Sequence, residues 1–479
     1  MVNLCKDKWI KNASGVQKNI RSGFLDRRIC ARFLFFYLCP VRKTLIISLF
    51  LAAFLPGCKK DILPKSGIRT GEAEKTDYYQ YGLGNLVIET DGGKAVDSKE
   101  NWTACTVILD GGGLFRNHGA MKGSIRGRGN STWFWYPKKP YRIKLDESTR
   151  FMGMEANRDW VLLADFRDVT HLMNNVAFTL ANELGLPCAN RSRYVNLTIN
   201  GQDMGLYMVT EQIEEGGNRV PLDKKEGILL ALDMNDGPAE NPGATDNFFS
   251  TVFKTACAVK YPKDPDKAVL ERVRKAYAEL ETAIGRRKWA DIQKLLDVDS
   301  MINYILVQEI IGNGELDNDP SMRSGYIHRP SDSEKWVMGP FWDADAGFGY
   351  DASDMFNRNG MCHTYFIWNP LVFGTEPYLH TGAMNGTASN FFCRLWGIPE
   401  FVRMLKARWN QSHEHLLEVA LDQIDKTEAV IGEAAASDGM RWGINKFNHA
   451  QEVEKLKSWL RKRFSYLDSV IRAYPEKEY

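Results

Sequence analysis

Residues 123–146 read GSIRGRGNSTWFWYPKKPYRIKLD, and the second half of that stretch decides the fold class. From Tyr141 to Leu145 apolar and cationic residues alternate, the period of a strand with one face in a core and the other on a surface. Upstream, Gly123 to Ser131 is rich in turn residues, and Leu86–Thr90 and Thr106–Leu109 are short β-rich runs bounded by Gly and Asp. Downstream, residues 168–184 (DVTHLMNNVAFTLANEL) place Leu172, Val176, Leu180 and Leu184 at helical spacing. Asp168 and Thr170 are candidate caps there, and Gly185 and Pro187 supply the stop. Tyr194–Ile199 and Leu206–Val209 flank Asn200-Gly201, a hairpin signal with a loop a few residues longer than the tightest turn. From about residue 266 the texture turns helical, with segments at 266–285, 287–296, 299–311, 397–434 and 445–473. Gly325–His328 and Lys335–Phe341 interrupt it as a short hairpin, and residues 233–250 read as a polar loop. The expected class is α+β, with a β-rich N-terminal lobe over residues 83–215 and a mainly helical C-terminal lobe over 216–479.

At 479 residues, 44% hydrophobic and 11% aromatic, the chain has the composition of a globular protein. Its net charge of +2 is set by the first 57 residues, which carry ten Lys/Arg against two Asp/Glu; the remainder is −6, which argues against a nucleic-acid partner. Within that head, Arg42-Lys43 precedes LIISLFLAAFLPGC, an apolar run too short to span a membrane but suited to a signal-peptide core. It ends at Leu55-Pro56-Gly57-Cys58, which resembles the bacterial lipobox, so Cys58 is the expected lipidation site. Residues 1–57 are then a signal peptide with an extension from a misassigned start, and the polar stretch 58–80 is a tether. The expected location is the cell envelope, anchored to a bacterial membrane, the outer one by preference. Five cysteines follow Cys58, with neither CxxC nor His at zinc spacing.

The chemistry concentrates in four places. Residues 339–349, GPFWDADAGFG, set Asp343 and Asp345 one residue apart where an apolar strand opens into a glycine-containing loop. Mg²⁺ takes one or two such carboxylates and completes its shell with water and nucleotide phosphates. Gly127-Arg128-Gly129-Asn130-Ser131 offers backbone N–H groups and the Arg128 cation, with Asn130 and Ser131, to phosphate oxygens. Arg142 and Lys144 put two further cations on one strand face, and Glu211 closes the hairpin strand where the chain passes between lobes. The acidic loop after helix 299–311 holds Asp317 and Asp319, either of which could orient an acceptor hydroxyl and take its proton. Phosphoryl transfer asks for this set: phosphate contacts, a metal site and a base.

Four segments carry a specific resemblance: IRGRGNSTWFWYPKKPYRIKLD (125–146), NRDWVLLADFRDVTHLMNN (157–175), RYVNLTINGQDMGLYMVTEQIE (193–214) and GPFWDADAGFG (339–349). Together they resemble the spore coat protein H (CotH) kinase family in the form found among Bacteroidetes-type lipoproteins. The resemblance implies an atypical protein-kinase-like two-lobed fold that uses ATP and Mg²⁺ to phosphorylate Ser or Thr of surface proteins. It also implies that Lys144 is the strand lysine, Asp343 the metal-binding aspartate, and Asp317 or Asp319 the catalytic-loop aspartate, with Asp345 a further ligand or a cap. The sequence departs from the family at Met173, where relatives often carry Arg, and at Ser324, which stands where an Asn follows the catalytic aspartate. The alternative is a non-catalytic kinase-like surface protein that binds glycan or peptide on Trp133, Trp135 and Tyr136.

Overall fold

Seven strands close into a barrel in the order β1-β2-β3-β4-β5-β7-β6. They are β1 (Leu83–Thr90), β2 (Thr103–Asp110), β3 (His118–Gly127), β4 (Tyr141–Thr149), β5 (Asn157–Leu163), β6 (Ser192–Ile199) and β7 (Gln202–Glu211). A short helix α1 (Ser131–Trp135) joins β3 to β4, and α2 (Met173–Glu183) lies between β5 and β6. The computed structural model describes residues 83–313, 322–349, 379, 390–444 and 448–477. All of these belong to one compact unit, Asp61–Tyr479; the other, Met1–Lys60, contains Cys58 and lies outside the described residues.

β1 and β6 run parallel, with Leu83 opposite Tyr194 and Ile88 opposite Ile199, and this pairing closes the barrel. The alternation in β4 is realised: Tyr141, Ile143 and Leu145 enter the barrel core while Arg142 and Lys144 face outward. The segment expected as turn-rich is instead the end of β3, which runs through to Gly127. Its glycines serve close packing, since a Cβ on Gly123 would meet the Lys144 carbonyl and one on Gly127 would meet the Trp133 ring. The β6–β7 hairpin is tighter than expected. Ile199 pairs with Gln202, leaving Asn200 (φ 50°) and Gly201 (φ 73°) as a two-residue loop. Asp203 and Gly205 hide the start of β7 because they interrupt its apolar pattern at a register shift beside Leu197.

The outer face of β5, β6 and β7 is apolar too. Val161, Tyr194, Leu206 and Met208 pack with Val176 and Leu180 of α2 in the main core. Helix α2 begins at Met173, five residues later than the periodicity suggests. Residues before it take an irregular course with Asp165 (φ 45°) and His171 (φ 58°) in the left-handed region. The Asp168 carboxylate accepts from Thr170 N at 2.9 Å and Met173 N at 2.8 Å, closing the helix start.

A second sheet, in the order β12-β11-β8-β10-β9, comprises β8 (Ile228–Leu232), β9 (Asn247–Phe249), β10 (Ala256–Tyr261), β11 (Gly325–Arg329) and β12 (Val337–Met338). The expected hairpin is β11–β12, but β9 falls within the segment read as a polar loop, and β8 and β10 fall where no element was expected. β8 is ILLAL, fully buried and unbroken, a pattern that carries no period by which to tell strand from helix. The helices are α3 (Lys267–Gly285), α4 (Trp289–Leu295), α5 (Val298–Ile311), α6 (Asn390–Trp396), α7 (Pro399–Arg441) and α8 (His449–Ala473). Asp266, Asp297 and Asn448 cap α3, α5 and α8. α5 is buried on nearly every side and forms the axis of the helical part.

The long helix α7 is tied to the barrel by a buried ion pair. Lys138 Nζ lies 2.9 Å from Asp438 Oδ2 with both side chains almost fully buried, and it also donates to the Leu206 carbonyl. Asp438 Oδ1 accepts from Leu206 N at 3.0 Å, and a Cβ on Gly205 would collide with that oxygen. Burial pushes the Asp438 carboxyl up, but Lys138 and His171 outweigh it and hold the group at about 2. Removing one partner strands a buried charge, so Asp438→Ala should lose roughly 3–5 kcal/mol in urea unfolding. Because the folded-state value is depressed, this contribution is present above the ordinary aspartate value of about 3.9 and should be lost as pH falls through about 2.

Candidate active site

The outward face of β3 and β4 gathers cations because strand alternation and cross-strand register put them side by side. Arg126 sits opposite Arg142 and Ser124 opposite Lys144. Arg142 donates through Nε and Nη2 to Asp159 Oδ1 of β5 at 2.9 and 2.5 Å, and lies 3.5 Å from Glu214 Oε2. Lys144 Nζ is 4.0 Å from the other oxygen of Asp159 and stays 44% exposed, so the Asp159 pairing holds Arg142 more firmly than Lys144. The Trp102 ring covers the guanidinium groups of Arg126 and Arg142 at 4.8 and 5.8 Å.

Two residues past Arg126, Arg128 leaves this face and reaches the second sheet. Its guanidinium lies 5.3 Å from the centre of the Trp342 ring. Burial lowers its pKa, while Asp343, Tyr326 and Asp345 act in the opposite direction. The glycine segment and the paired carboxylates, more than two hundred residues apart, are therefore brought together.

Asp343 follows β12 in the left-handed conformation (φ 64°). Its Oδ2 accepts from Ser324 Oγ at 3.1 Å, its carbonyl from Asn313 Nδ2 at 3.4 Å, and the next amide, Ala344 N, donates to Asn174 Oδ1 at 2.9 Å. Ser324, noted above as a departure from the family, thus donates directly to the Asp343 carboxylate. Asp345 is buried and accepts from Arg167 Nη1 at 3.3 Å. Behind it Asp165 is pushed up to about 8 by burial and by Asp168, against Lys138. Among the described residues no group of three or more His, Cys, Asp or Glu is arranged to hold an ion alone. Asp343 with Asp345 fits an ion that arrives with nucleotide phosphates and keeps water in its shell.

The remaining predicted residues are placed otherwise. The N–H groups of Gly127 and Arg128 donate to Ser98 O at 2.7 Å and Pro140 O at 3.1 Å, so these two amides are not offered to phosphate and the contribution of the segment is the Arg128 side chain. Asn130 Oδ1 accepts from Lys99, and Ser131 opens α1. Glu211 is buried; it accepts from Arg191 N at 2.6 Å and Arg191 Nη2 at 3.1 Å, with Arg219 at 3.7 Å. Asp317 and Asp319 lie outside the described residues. Asp159, Glu214, Trp102, Asn174 and Arg167 were missed. Only Asp159 carried a signal, as the one acid beside the apolar core of β5. A surface concavity of about 500 Å³ between α3 and α4, lined by Lys275, Arg286 and Asp291 among others, contains none of these residues.

The family model for CotH kinase protein matches residues 125–467, most of the chain, and spans Arg126, Arg128, Arg142, Lys144, Asp159 and Asp343. The chain belongs to the CotH kinase family. Membership brings a kinase-like function, with ATP and a divalent metal as the cofactors it suggests. A search of curated proteins found no match. In this CotH kinase chain Arg128, just past the cationic end of β3, is the cation that acts on Asp343 and Asp345, an opposition of charge suited to a nucleotide phosphate and its ion.

Burial and Asp159 push Glu214 up to about 7, against Arg142. The folded state therefore holds this proton more tightly than the unfolded chain, whose value is about 4.3. Stability from this group should fall as pH rises from about 4.3 through 7, and urea unfolding of Glu214→Gln at pH 5 and pH 8 should show a smaller difference than wild type. An equal or larger difference would remove Glu214 as the cause.

Proposed function

We propose that this protein is a lipid-anchored envelope kinase, with an atypical two-lobed kinase-like architecture, that transfers the γ-phosphoryl group of ATP to Ser or Thr hydroxyls of surface proteins. The observation that carries the reading is Arg128, held against Trp342 beside Asp343, within the segment matched by the family model. The site would hold Mg²⁺ through Asp343, with Asp345 kept in place by Arg167 as a further ligand. When bound, the ion neutralises charge on the phosphates. Arg128, Arg142 and Lys144 supply positive charge to the same oxygens, and Asp159 and Glu214 fix the direction of Arg142. The acceptor oxygen would bond to the γ-phosphorus as the bond to the β-phosphate oxygen breaks. ADP leaves, and the acceptor proton passes to Asp317 or Asp319. Lipidation at Cys58 would place this unit at a membrane face, the outer membrane by preference.

A non-catalytic reading is favoured by one observation: Phe134 and Trp135 of α1 are 68% and 54% exposed, a surface suited to a glycan or peptide. Trp133 and Tyr136 do not contribute to it, since Trp133 packs against the barrel core and Tyr136 is buried.

Millimolar ATP with Mg²⁺ should raise the melting temperature of the chain from Asp61 onward, since a ligand at 100 times its Kd stabilises by about 2.7 kcal/mol. The shift should vanish in Asp343→Ala and weaken in Arg128→Ala, whose affinity should fall roughly 10- to 100-fold for the loss of a charged contact. Transfer of labelled phosphate to a Ser/Thr protein should follow the same order. A shift with oligosaccharide and none with nucleotide would replace this reading with the binding one.

A further inference from the structure

The Asp343 turn rests on a strut from helix α2. An Asp in the left-handed region is held at a cost of about 1 kcal/mol or more, so surrounding contacts must fix it. One of them acts on the backbone immediately after it: Ala344 is fully buried, and its N–H donates to Asn174 Oδ1 at 2.9 Å. The plane of the Asp343–Ala344 peptide, and with it the direction in which the Asp343 side chain leaves, follows that bond. The amide of Asn174 has two ends, and Asp165 decides which one faces Ala344. Asn174 Nδ2 donates to Asp165 Oδ1 at 3.3 Å, which leaves Oδ1 for the Ala344 N–H. The other Asp165 oxygen is buried with no hydrogen-bond partner among the described residues, so this carboxyl is committed to Asn174. The next residue on the helix, Asn175, is clamped in turn. Its Nδ2 donates to Ser192 Oγ at 2.9 Å and its Oδ1 accepts from Gln423 Nε2 at 3.0 Å, so the start of α2 is fixed to β6 and to α7.

We propose that Asn174 is a positioning residue that sets the direction of the Asp343 carboxylate, with Asp165 orienting the Asn174 amide. Asn174 touches neither nucleotide nor ion; it acts through the Ala344 peptide. The proposal rests on the metal-nucleotide reading above. It predicts that loss of the strut weakens the ion more than the nucleotide, because the cationic face of β3 and β4 is untouched. Groups that hold metal ligands in place typically change ion affinity 10- to 100-fold when removed.

The test is Mn²⁺ binding to the purified full chain with a non-hydrolysable ATP analogue, read by the paramagnetic signal of free Mn²⁺, and analogue binding in EDTA as the comparison. Asn174→Ala should weaken Mn²⁺ 10- to 100-fold and leave metal-free analogue binding within about twofold. Asp165→Ala should weaken Mn²⁺ in the same direction, and Asp165→Asn, which retains an acceptor for Asn174 Nδ2, should recover most of the loss. If Asn174→Ala melts too low to be assayed, the Asp165 pair decides alone. Wild-type affinity in a folded Asn174→Ala, or equal losses in Asp165→Ala and Asp165→Asn, overturns the assignment of Asn174. Failure of the wild type itself to bind Mn²⁺ with the analogue would instead overturn the kinase reading.

Discussion

Asp438 is the carboxylate on which the rest of the structure leans. Taking a Lys–Asp pair out of water costs several kcal/mol per ion, and mutual attraction offsets that only when every remaining donor and acceptor is engaged. Here Lys138 also reaches the Leu206 carbonyl, and Asp438 also takes the Leu206 amide. One side chain of α7 thereby binds the loop before β4 and the backbone of β7 together. Gly205 is part of the same constraint, because nothing larger leaves room for the carboxylate. The cations of β4 begin two residues after this anchored loop, so the position of Arg142 and Lys144 relative to the helical part derives from a contact that takes no part in the chemistry.

The site itself is an opposition of charges across two sheets. Arginines cluster on the barrel because strand register sets Arg126 opposite Arg142, and their charge is offset by Asp159 and Glu214 at Arg142 and by the Trp102 ring over both. Carboxylates cluster at the ends of β8 and β12. Asp233 accepts from Ser324 N at 3.1 Å and Ser324 donates onward to Asp343, which links the two strand ends. Such preorganised charge is the means by which phosphoryl transfer is accelerated, since little covalent work falls to the protein.

Much of this was legible in the chain, for identifiable reasons. Tyr141 to Leu145 alternates without exception, and α3, α5, α7 and α8 carry caps or long helical periods, so their presence followed from local rules. β8 was illegible because burial on both faces erases its period, and β3 because its packing glycines look like turn glycines. Arg128 and Asp343, singled out by residue type and spacing, are brought near one another by the fold. Asn174 was hidden for a different reason: the role proposed for it depends on a hydrogen bond accepted from the Ala344 N–H, 170 residues away, and nothing in a polar residue at the start of a helix announces that. Glu211 shows the converse, a carboxylate whose position suggested chemistry and whose partners, Arg191 and Arg219, hold the end of β7.

The seam between β1 and β6 imposes an order on synthesis. Leu83 pairs with Tyr194, so β1, the first strand among the described residues, must wait for about 110 more residues before its second neighbour exists. Until then the outer edge of β1 is bare, although β2 can already pair with β3, and Leu86, Ile88, Val107 and Leu109 have no closed barrel to fill. Non-local closure of this kind is slow, and an unfinished edge invites pairing with other chains. The nascent protein therefore has its greatest need of a chaperone early, well before the carboxylates that define its chemistry have been translated.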